Sequence, residues 1–350
     1  MNKAAVLLHT IKTNLLNRGK IALVSEPADW VIKEIAQEIV AEVNAKQTGR
    51  AFVTYSPRWL RNKIIHFTSV NTYINKGRLV PVHPSNRILF TWYHVLPHDK
   101  RLAFIPELNK SVDRFHTPCT ITFKQLVQAG ADTSKLVLIP EGINLHLFKA
   151  FDAGKRDEIK SNLGLPKNKF IIGSFQKDGV GWGEGVEPKM EKGPDIFCAV
   201  VEELTKKFPI HVLLTGPARG YVKKRLTAAN IPFTHHFLAD FKEIVNYYNA
   251  LDLYIVSSRQ EGGPKAVLES MACGVPIIST RVGMAPDVIV DNENGALVEV
   301  EDVAGLVARA EKVLSDVNAR QKLIAGGLST VPRYNNSRIV QEYMEKLYRL

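Results

Sequence analysis

Residues 256–298 read VSSRQEGGPKAVLESMACGVPIISTRVGMAPDVIVDNENGALV. An apolar strand, Leu253–Val256, leads in, and a polar loop carries Glu261, Gly262, Gly263 and Pro264. A helical run, Lys265–Ala272, is stopped by Gly274. A second apolar strand over Val275–Ile278 reaches a glycine turn at Gly283. Strand, loop, helix and strand make one βαβ unit, and open α/β sheets bind ligands at the carboxyl end of such a first strand. The backbone N–H groups from Gly263 to Ala266 fall at the helix start, where they lack intrahelical partners and carry the positive end of the dipole. An anion such as a phosphate fits there. Glu261 and Glu269, eight residues apart, flank that position. Two carboxylates around an anion site suit a ligand with hydroxyls on either side of a phosphate, the shape of a nucleotide-sugar.

Outward from this unit, the chain alternates strands and helices, which argues for parallel sheets. Before it, strands are expected at Lys20–Val24, Ala51–Tyr55, Lys63–Phe67, Arg87–Trp92, Thr117–Thr122 and Leu136–Ile139. A helix over Trp30–Asn44 has Glu26 or Asp29 as candidate caps, and a short helix spans Lys124–Ala129. The polar stretch KAFDAGKRDEIKSNLGLPKN, residues 149–168, reads as a boundary. A second series follows: strands at Phe170–Phe175, Ile210–Thr215 and Phe233–Phe237, with helices from Asp195 to about Lys207, Tyr221–Ala229 and Phe241–Asn249. A glycine-rich loop with Gly179, Gly181, Gly183 and Gly185 follows the first of these strands. Late helices cover Val303–Leu314, Asn318–Gly326 and Ser337–Arg349. The expected division is 1–150, 151–334 and a closing helix, 335–350, that crosses back to the first domain.

The 350 residues suffice for two domains with separate cores. Three cysteines, Cys119, Cys198 and Cys273, give no CxxC spacing, no metal framework and a fit to a reducing compartment. No apolar run reaches the ~18 residues of a membrane span. The formal charge of +11 is lopsided: residues 1–150 hold 20 Lys/Arg against 10 Asp/Glu, while 151–350 hold 26 against 25. Val43–His98 contains eight basic residues, including Arg58, Arg61 and Lys63, and no acid. An imbalance confined to one domain points to an anionic partner there. The N-terminal stretch, with Val6, Leu7, Ile11, Leu15 and Leu16 among Lys3, Lys12, Arg18 and Lys20, reads as a basic amphipathic helix. A packed surface helix is the leading account of it, and membrane-surface binding the other.

Three further segments join the opening stretch in a fixed order. IPEGINLHLF spans Ile139–Phe148, EKGPD spans Glu191–Asp195, and VGMAPDVIVDNENGALV closes the quoted run. Together with the E-x7-E pair these resemble the retaining glycosyltransferases of family GT4 over most of residues 87–315. That resemblance implies the GT-B fold: α/β, two Rossmann-like domains facing across a cleft. It implies a nucleoside-diphosphate-sugar donor on the second domain and an acceptor on the first. Lys192 takes the position of the family's diphosphate lysine, and Lys177, in GSFQKDG, stands nearest to where the family has an arginine. Asn144 stands where the family usually has Asp. Glu261 would bind the donor sugar, with Gly262 and Gly263 allowing close approach. Glu269 would take the ribose hydroxyls. Pro264, Lys265 and Ala266 frame the anion site. Gly216 and the backbone of His236, Phe237 and Leu238 would border the base. His94, in FTWYHVLPHD, would reach the reacting groups, with His98 as rival, and Arg58, Arg61 and Lys63 would serve the acceptor side.

The implied reaction is a front-face displacement in which the departing phosphate deprotonates the acceptor hydroxyl. No cofactor and no metal is expected. Partners would be the nucleotide-sugar, a carbohydrate or lipid-linked acceptor and an anionic membrane surface, but no nucleic acid. The expected location is cytoplasmic, including the inner face of a membrane. A phosphorylase or nucleotide-sugar epimerase of the same fold is the alternative, and a basic nucleic-acid-binding module ranks behind both, because it leaves the Glu261/Glu269 pair unexplained.

Overall fold

The computed structural model describes residues 3–27, 31–47 and 49–349, and divides into two compact units. The first is Met1–Gly142 with Asn336–Leu350, and the second is Ile143–Asn335. The division thus falls between 142 and 143, ahead of the polar stretch read as a boundary. That stretch holds a helix, Ala153–Asn162, whose start is capped by the Asp152 side chain accepting from Lys155 N–H. Its sparse apolar residues hid it; one aspartate at the N-cap marks it.

The strands of the first unit are β1 (Ile21–Val24), β2 (Ala51–Thr54), β3 (Ile64–Phe67), β4 (Ile74–Asn75), β5 (Arg78–Leu79), β6 (Arg87–Thr91), β7 (Arg114–Thr117) and β8 (Leu136–Leu138). Six form a parallel sheet in the order β2-β1-β3-β6-β7-β8, and β4 and β5 make a separate antiparallel pair. Ile21, Ala22 and Leu23 are fully buried, as expected for short apolar strands covered on both faces. Phe67, Phe90, Trp92 and Phe115 form the aromatic centre of its core. The strand read at Thr117–Thr122 is displaced: β7 ends at Thr117, and Cys119 caps a helix over Thr120–Gln128. Pro118 and the capping thiol separate two elements that the β-branched run had merged. Glu26 lies against Ser69, whose hydroxyl donates to it at 3.4 Å, while Asp29 and Trp30 lie outside the described residues.

The closing segment is a helix, Asn336–Glu342, followed by a π-helical turn, Tyr343–Tyr348, and it packs on this first sheet. Beneath it runs a buried polar chain with spacings of 2.9 Å at each step: Tyr348 Oη, His66, Thr91 Oγ1, His116 and the Ile139 carbonyl. The carbonyl can only accept, so His116 Nε2–H donates to it. Thr91 O–H then donates to His116 Nδ1, His66 Nε2–H to Thr91, and Tyr348 O–H to His66 Nδ1. One direction satisfies every group with both imidazoles neutral. Burial holds His66 down at about 3, with His116 adding to the effect, and burial holds His116 at about 4.

The second unit contains β9 (Phe170–Ser174), β10 (Ile210–Thr215), β11 (Phe233–His236), β12 (Leu253–Val256), β13 (Ile277–Thr280) and β14 (Ala296–Val298). All pairs are parallel, in the order β11-β10-β9-β12-β13-β14. This is the Rossmann order, and the chain reverses direction across the sheet between β9 and β12. The helix Pro194–Leu204 lays Phe197, Val200, Val201 and Leu204 on a core shared with Ile172, Val212, Leu214 and Ile255. The helix Lys265–Ala272 has the bounds read from sequence, whereas β13 starts two residues later than expected, after Pro276.

Candidate functional site

Ligands of doubly wound sheets bind outside the strand carboxyl ends at the point of reversal. In the second unit that point is flanked by the loop after β9, which carries Gln176 and Lys177, and the loop after β12, which carries Ser258, Glu261, Gly262 and Gly263. Lys192 arrives from the short turn before the helix Pro194–Leu204. Its ammonium pairs with Glu261 Oε2 at 2.7 Å, and both side chains are largely but not fully covered. Ser258 Oγ lies 2.8 Å from Glu261 Oε1 and 3.1 Å from Gln176 Oε1. Gln176 Nε2 donates to the Lys192 carbonyl at 2.7 Å. One polar network therefore joins three loops around a carboxylate–ammonium pair.

The supporting turns are tightly fixed. Gly193 has φ +59°, and a Cβ there would collide with the Ser257 carbonyl. Ser257 Oγ in turn donates to the Gly193 carbonyl at 2.8 Å. Arg259 spans the same junction: it pairs bidentately with Asp195 at 2.8 Å and reaches Glu301. The Arg259 guanidinium holds the Asp195 carboxyl below its ordinary value. Gly283, the glycine turn of the opening stretch, has φ +50° and abuts the Gly262 carbonyl, so the turn after β13 seats the loop after β12.

The glycine-rich loop is pinned at its base. Arg219 and Asp178 form a fully buried ion pair, N–O 3.0 Å. Arg219 also donates to the carbonyls of Ser174 (2.6 Å) and Thr215 (3.0 Å), tying the ends of β9 and β10 together. Burial raises the Asp178 carboxyl, and Arg219 opposes that. Gly220 N–H donates to the Glu184 carbonyl and Tyr221 N–H to that of Gly185. From this base the loop projects an exposed indole, Trp182, over which Lys177 Nζ sits 4.0 Å from the ring centroid. Burial and the neighbouring Lys189 lower the Lys177 ammonium. Arg219, Asp178, Arg259, Ser258 and Gln176 were not singled out in the sequence. A lone arginine in GPARG looks like a surface residue, and only the neighbouring glycines signal close packing there.

Other expected residues are placed as follows. Glu269 is 5% exposed and accepts a 2.8 Å hydrogen bond from Tyr248 Oη. Burial, with Glu269 beside it, drives the Tyr248 hydroxyl well above its ordinary value. Pro264 is buried, and Lys265 and Ala266 open the helix half-buried. Gly216 has φ +83°, and its carbonyl accepts from His235 Nε2 at 2.8 Å. His236 Nδ1 meets Tyr247 Oη at 2.9 Å, Leu238 is half-buried, and Phe237 is exposed. In the first unit, His94 is half-buried after β6, and its carbonyl accepts from the Trp92 indole at 3.0 Å. His98 is exposed in a left-handed turn, φ +56°. Arg58 and Arg61 are exposed on the loop after β2. Lys63 is committed elsewhere: its ammonium donates to the carbonyls of Arg18 (3.0 Å) and Gly19 (2.6 Å), clasping the N-terminal segment.

Known proteins place this geometry in a class. The family Glycosyl transferases group 1 matches residues 188–329, a segment within the second unit that holds Lys192, Glu261 and Glu269. Among curated relatives, the D-inositol 3-phosphate glycosyltransferase of Xylanimonas cellulosilytica is 26% identical over 217 residues, covering 59% of this chain and 49% of that protein. The lipopolysaccharide core biosynthesis mannosyltransferase LpsB of Rhizobium meliloti is 26% identical over 216 residues, 59% of this chain and 57% of the relative. The chain spans about half the length of the curated relatives it matches. Among solved structures, Anabaena Alr3699/HepE in complex with UDP and glucose aligns with a TM-score of 0.75 at 16% identity, over 95% of this chain and 100% of that one. The likeness shows the fold, α/β with two Rossmann-like domains, the GT-B class.

Proposed function

We propose that the chain is a glycosyltransferase that takes a sugar from a nucleoside-diphosphate donor held by the second unit and transfers it to an acceptor hydroxyl with retention. The observation that carries this reading is the Lys192–Glu261 pair, buttressed by Ser258 and Gln176, at the point where the Rossmann sheet reverses. Breaking the glycosidic bond builds negative charge on the diphosphate oxygen. A lysine fixed beside that oxygen stabilises the charge as it forms, at no cost of reorganisation. Lys192 has that role, Lys177 adds a second cation, and the start of the helix Lys265–Ala272 adds backbone N–H groups. Glu261 exchanges its lysine contact for the donor sugar's hydroxyls. The bond from the anomeric carbon to the phosphate oxygen breaks, and the acceptor oxygen bonds to the same face. The acceptor's proton passes to the departing phosphate. No metal is needed in this scheme, because the protein's own cations meet the charge.

Support for the donor class comes from the glycosyltransferase names of the relatives and from UDP and glucose in a protein of the same fold. The acceptor is read as a carbohydrate or lipid-linked hydroxyl, received on the first unit, with the exposed Arg58 and Arg61 meeting negative charge. The test is a panel of UDP-, GDP- and ADP-sugars assayed for released nucleoside diphosphate. At least one donor should be turned over, and Glu261→Gln should lower kcat about 10²-fold or more. Sugar phosphate formed from a glycoside and inorganic phosphate, with no nucleotide consumed, would replace this reading with a phosphorylase.

A further inference from the structure

The N-terminal helix, Lys3–Leu16, is packed inside out. Its buried positions are polar: Thr10 and Asn14, one turn apart, face the protein. Asn14 Nδ2 donates to the carbonyls of Ser56 (2.8 Å) and Arg58 (2.9 Å), and Thr10 Oγ1 to that of Val6. The leucines point away: Leu8, Leu15 and Leu16 are 67%, 68% and 69% exposed, and Leu7 is 46% exposed. A helix that packs on a protein core buries its leucines. This one turns Thr10 and Asn14, with half-buried Val6, Ile11 and Thr13, to the protein and leaves four leucines outside.

The loop gripped by Asn14 carries a further exposed apolar group. It runs from β2 to β3 with Pro57 and Leu60 buried, and between them Trp59, at φ +65°, is 50% exposed. A bulky residue in the left-handed region is uncommon and costs backbone strain, here met while an indole is held in solvent. The two segments themselves carry charge of one sign. No acid precedes Glu26, and none lies between Val43 and His98. Lys12, Arg18, Arg58 and Arg61 are exposed on the same two segments.

We infer that the outward face of the helix Lys3–Leu16, with Trp59, docks on an anionic lipid bilayer, the helix lying in the interfacial plane. Leucines and an indole seated at the headgroup boundary, ringed by cations, are the composition of an interfacial helix. Each lysine or arginine near an anionic surface adds attraction, which salt screens. A second copy of this chain would bring the same positive charge to the contact, so the charge pattern favours a lipid surface over self-association. The inference stands on the first unit alone and does not depend on the donor chemistry.

The test is cosedimentation of the full chain with phosphatidylcholine vesicles with and without about 30% phosphatidylglycerol, in low and high salt. The protein should bind only the anionic vesicles, more weakly in high salt. Leu8→Ser/Leu15→Ser should lower the partition coefficient about tenfold or more, and Trp59→Ala should lower it as well. Because these side chains are exposed, the variants should keep the parent Tm. Lys12→Gln/Arg18→Gln provides a second set, which should flatten the salt dependence. Absence of wild-type binding to anionic vesicles overturns the inference. So does binding that survives both the leucine and the tryptophan changes, or a concentration-dependent dimer that the leucine variant abolishes.

Discussion

The two units solve the problem of buried polarity in opposite ways. The second pairs its charges, fully buried in one case and partly covered in others. Arg219 with Asp178, Arg259 with Asp195 and Lys192 with Glu261 all lie where loops leave the strand ends, and each tie fixes one loop against another. The first buries neutral imidazoles in a single-direction hydrogen-bond chain under its closing helix, and its exposed cations include Lys12, Arg18, Arg58 and Arg61. A buried ion pair costs desolvation and gives fixed geometry in return. A neutral hydrogen-bonded chain costs less but gives no charge to a ligand. The second unit, proposed to hold the donor diphosphate, carries paired charge beside its loops, while the first carries exposed cations.

That contrast can be broken by mutation. The largest effect should come from Arg219→Leu, which leaves Asp178 buried and unpaired and frees the carbonyls of Ser174 and Thr215. A loss of about 3–5 kcal/mol is expected in denaturant unfolding, and Arg219→Leu/Asp178→Leu should recover much of it. If the single change is silent, the pair does not hold the glycine-rich loop.

Acid should act on the first unit. His66 and His116 are held at about 3 and about 4 in the folded chain, against 6.5 when unfolded. The unfolded chain therefore binds more protons across this window. Stability is full above about pH 6.5 and is lost as pH falls towards 4 and then 3, by about 3 kcal/mol from His116 alone. His116→Gln should remove part of that acid slope in pH-dependent unfolding. An unchanged slope would show that the imidazoles are not the titrating groups.

The smallest effect is at Trp182. Its stacking with Lys177 is worth about 0.5–1 kcal/mol at an exposed site. Trp182→Ala should leave global stability unchanged within error. Lys177→Met should change the emission of Trp182 relative to wild type, and identical spectra would show that the pair does not persist in solution.

Legibility followed the same divide. Lys265–Ala272 was readable to the residue because a glycine loop precedes it and Gly274 stops it. Lys192 and Glu261 were singled out by the short motifs around them, and the fold brings the two side chains to 2.7 Å. Arg219 was not, since burial of an arginine depends on glycines 179, 185 and 220 coming close in space rather than in sequence. The hydrogen-bond chain of the first unit joins residues from 66 to 348, and no local pattern reports it. The N-terminal helix was legible as a helix, Lys3–Leu16, but periodicity shows that a face exists and not which residues the protein covers.

The proposed donor site sets Lys192 at the diphosphate and Glu261 at the sugar beside it. Calorimetric titration of UDP, GDP and ADP into the wild-type chain and into Lys192→Ala tests it directly. One nucleoside diphosphate should bind one site per chain, and Lys192→Ala should weaken it about tenfold or more, the effect of removing a charge-assisted contact. Binding of the same affinity in Lys192→Ala, or no binding of any of the three to wild type, would contradict it.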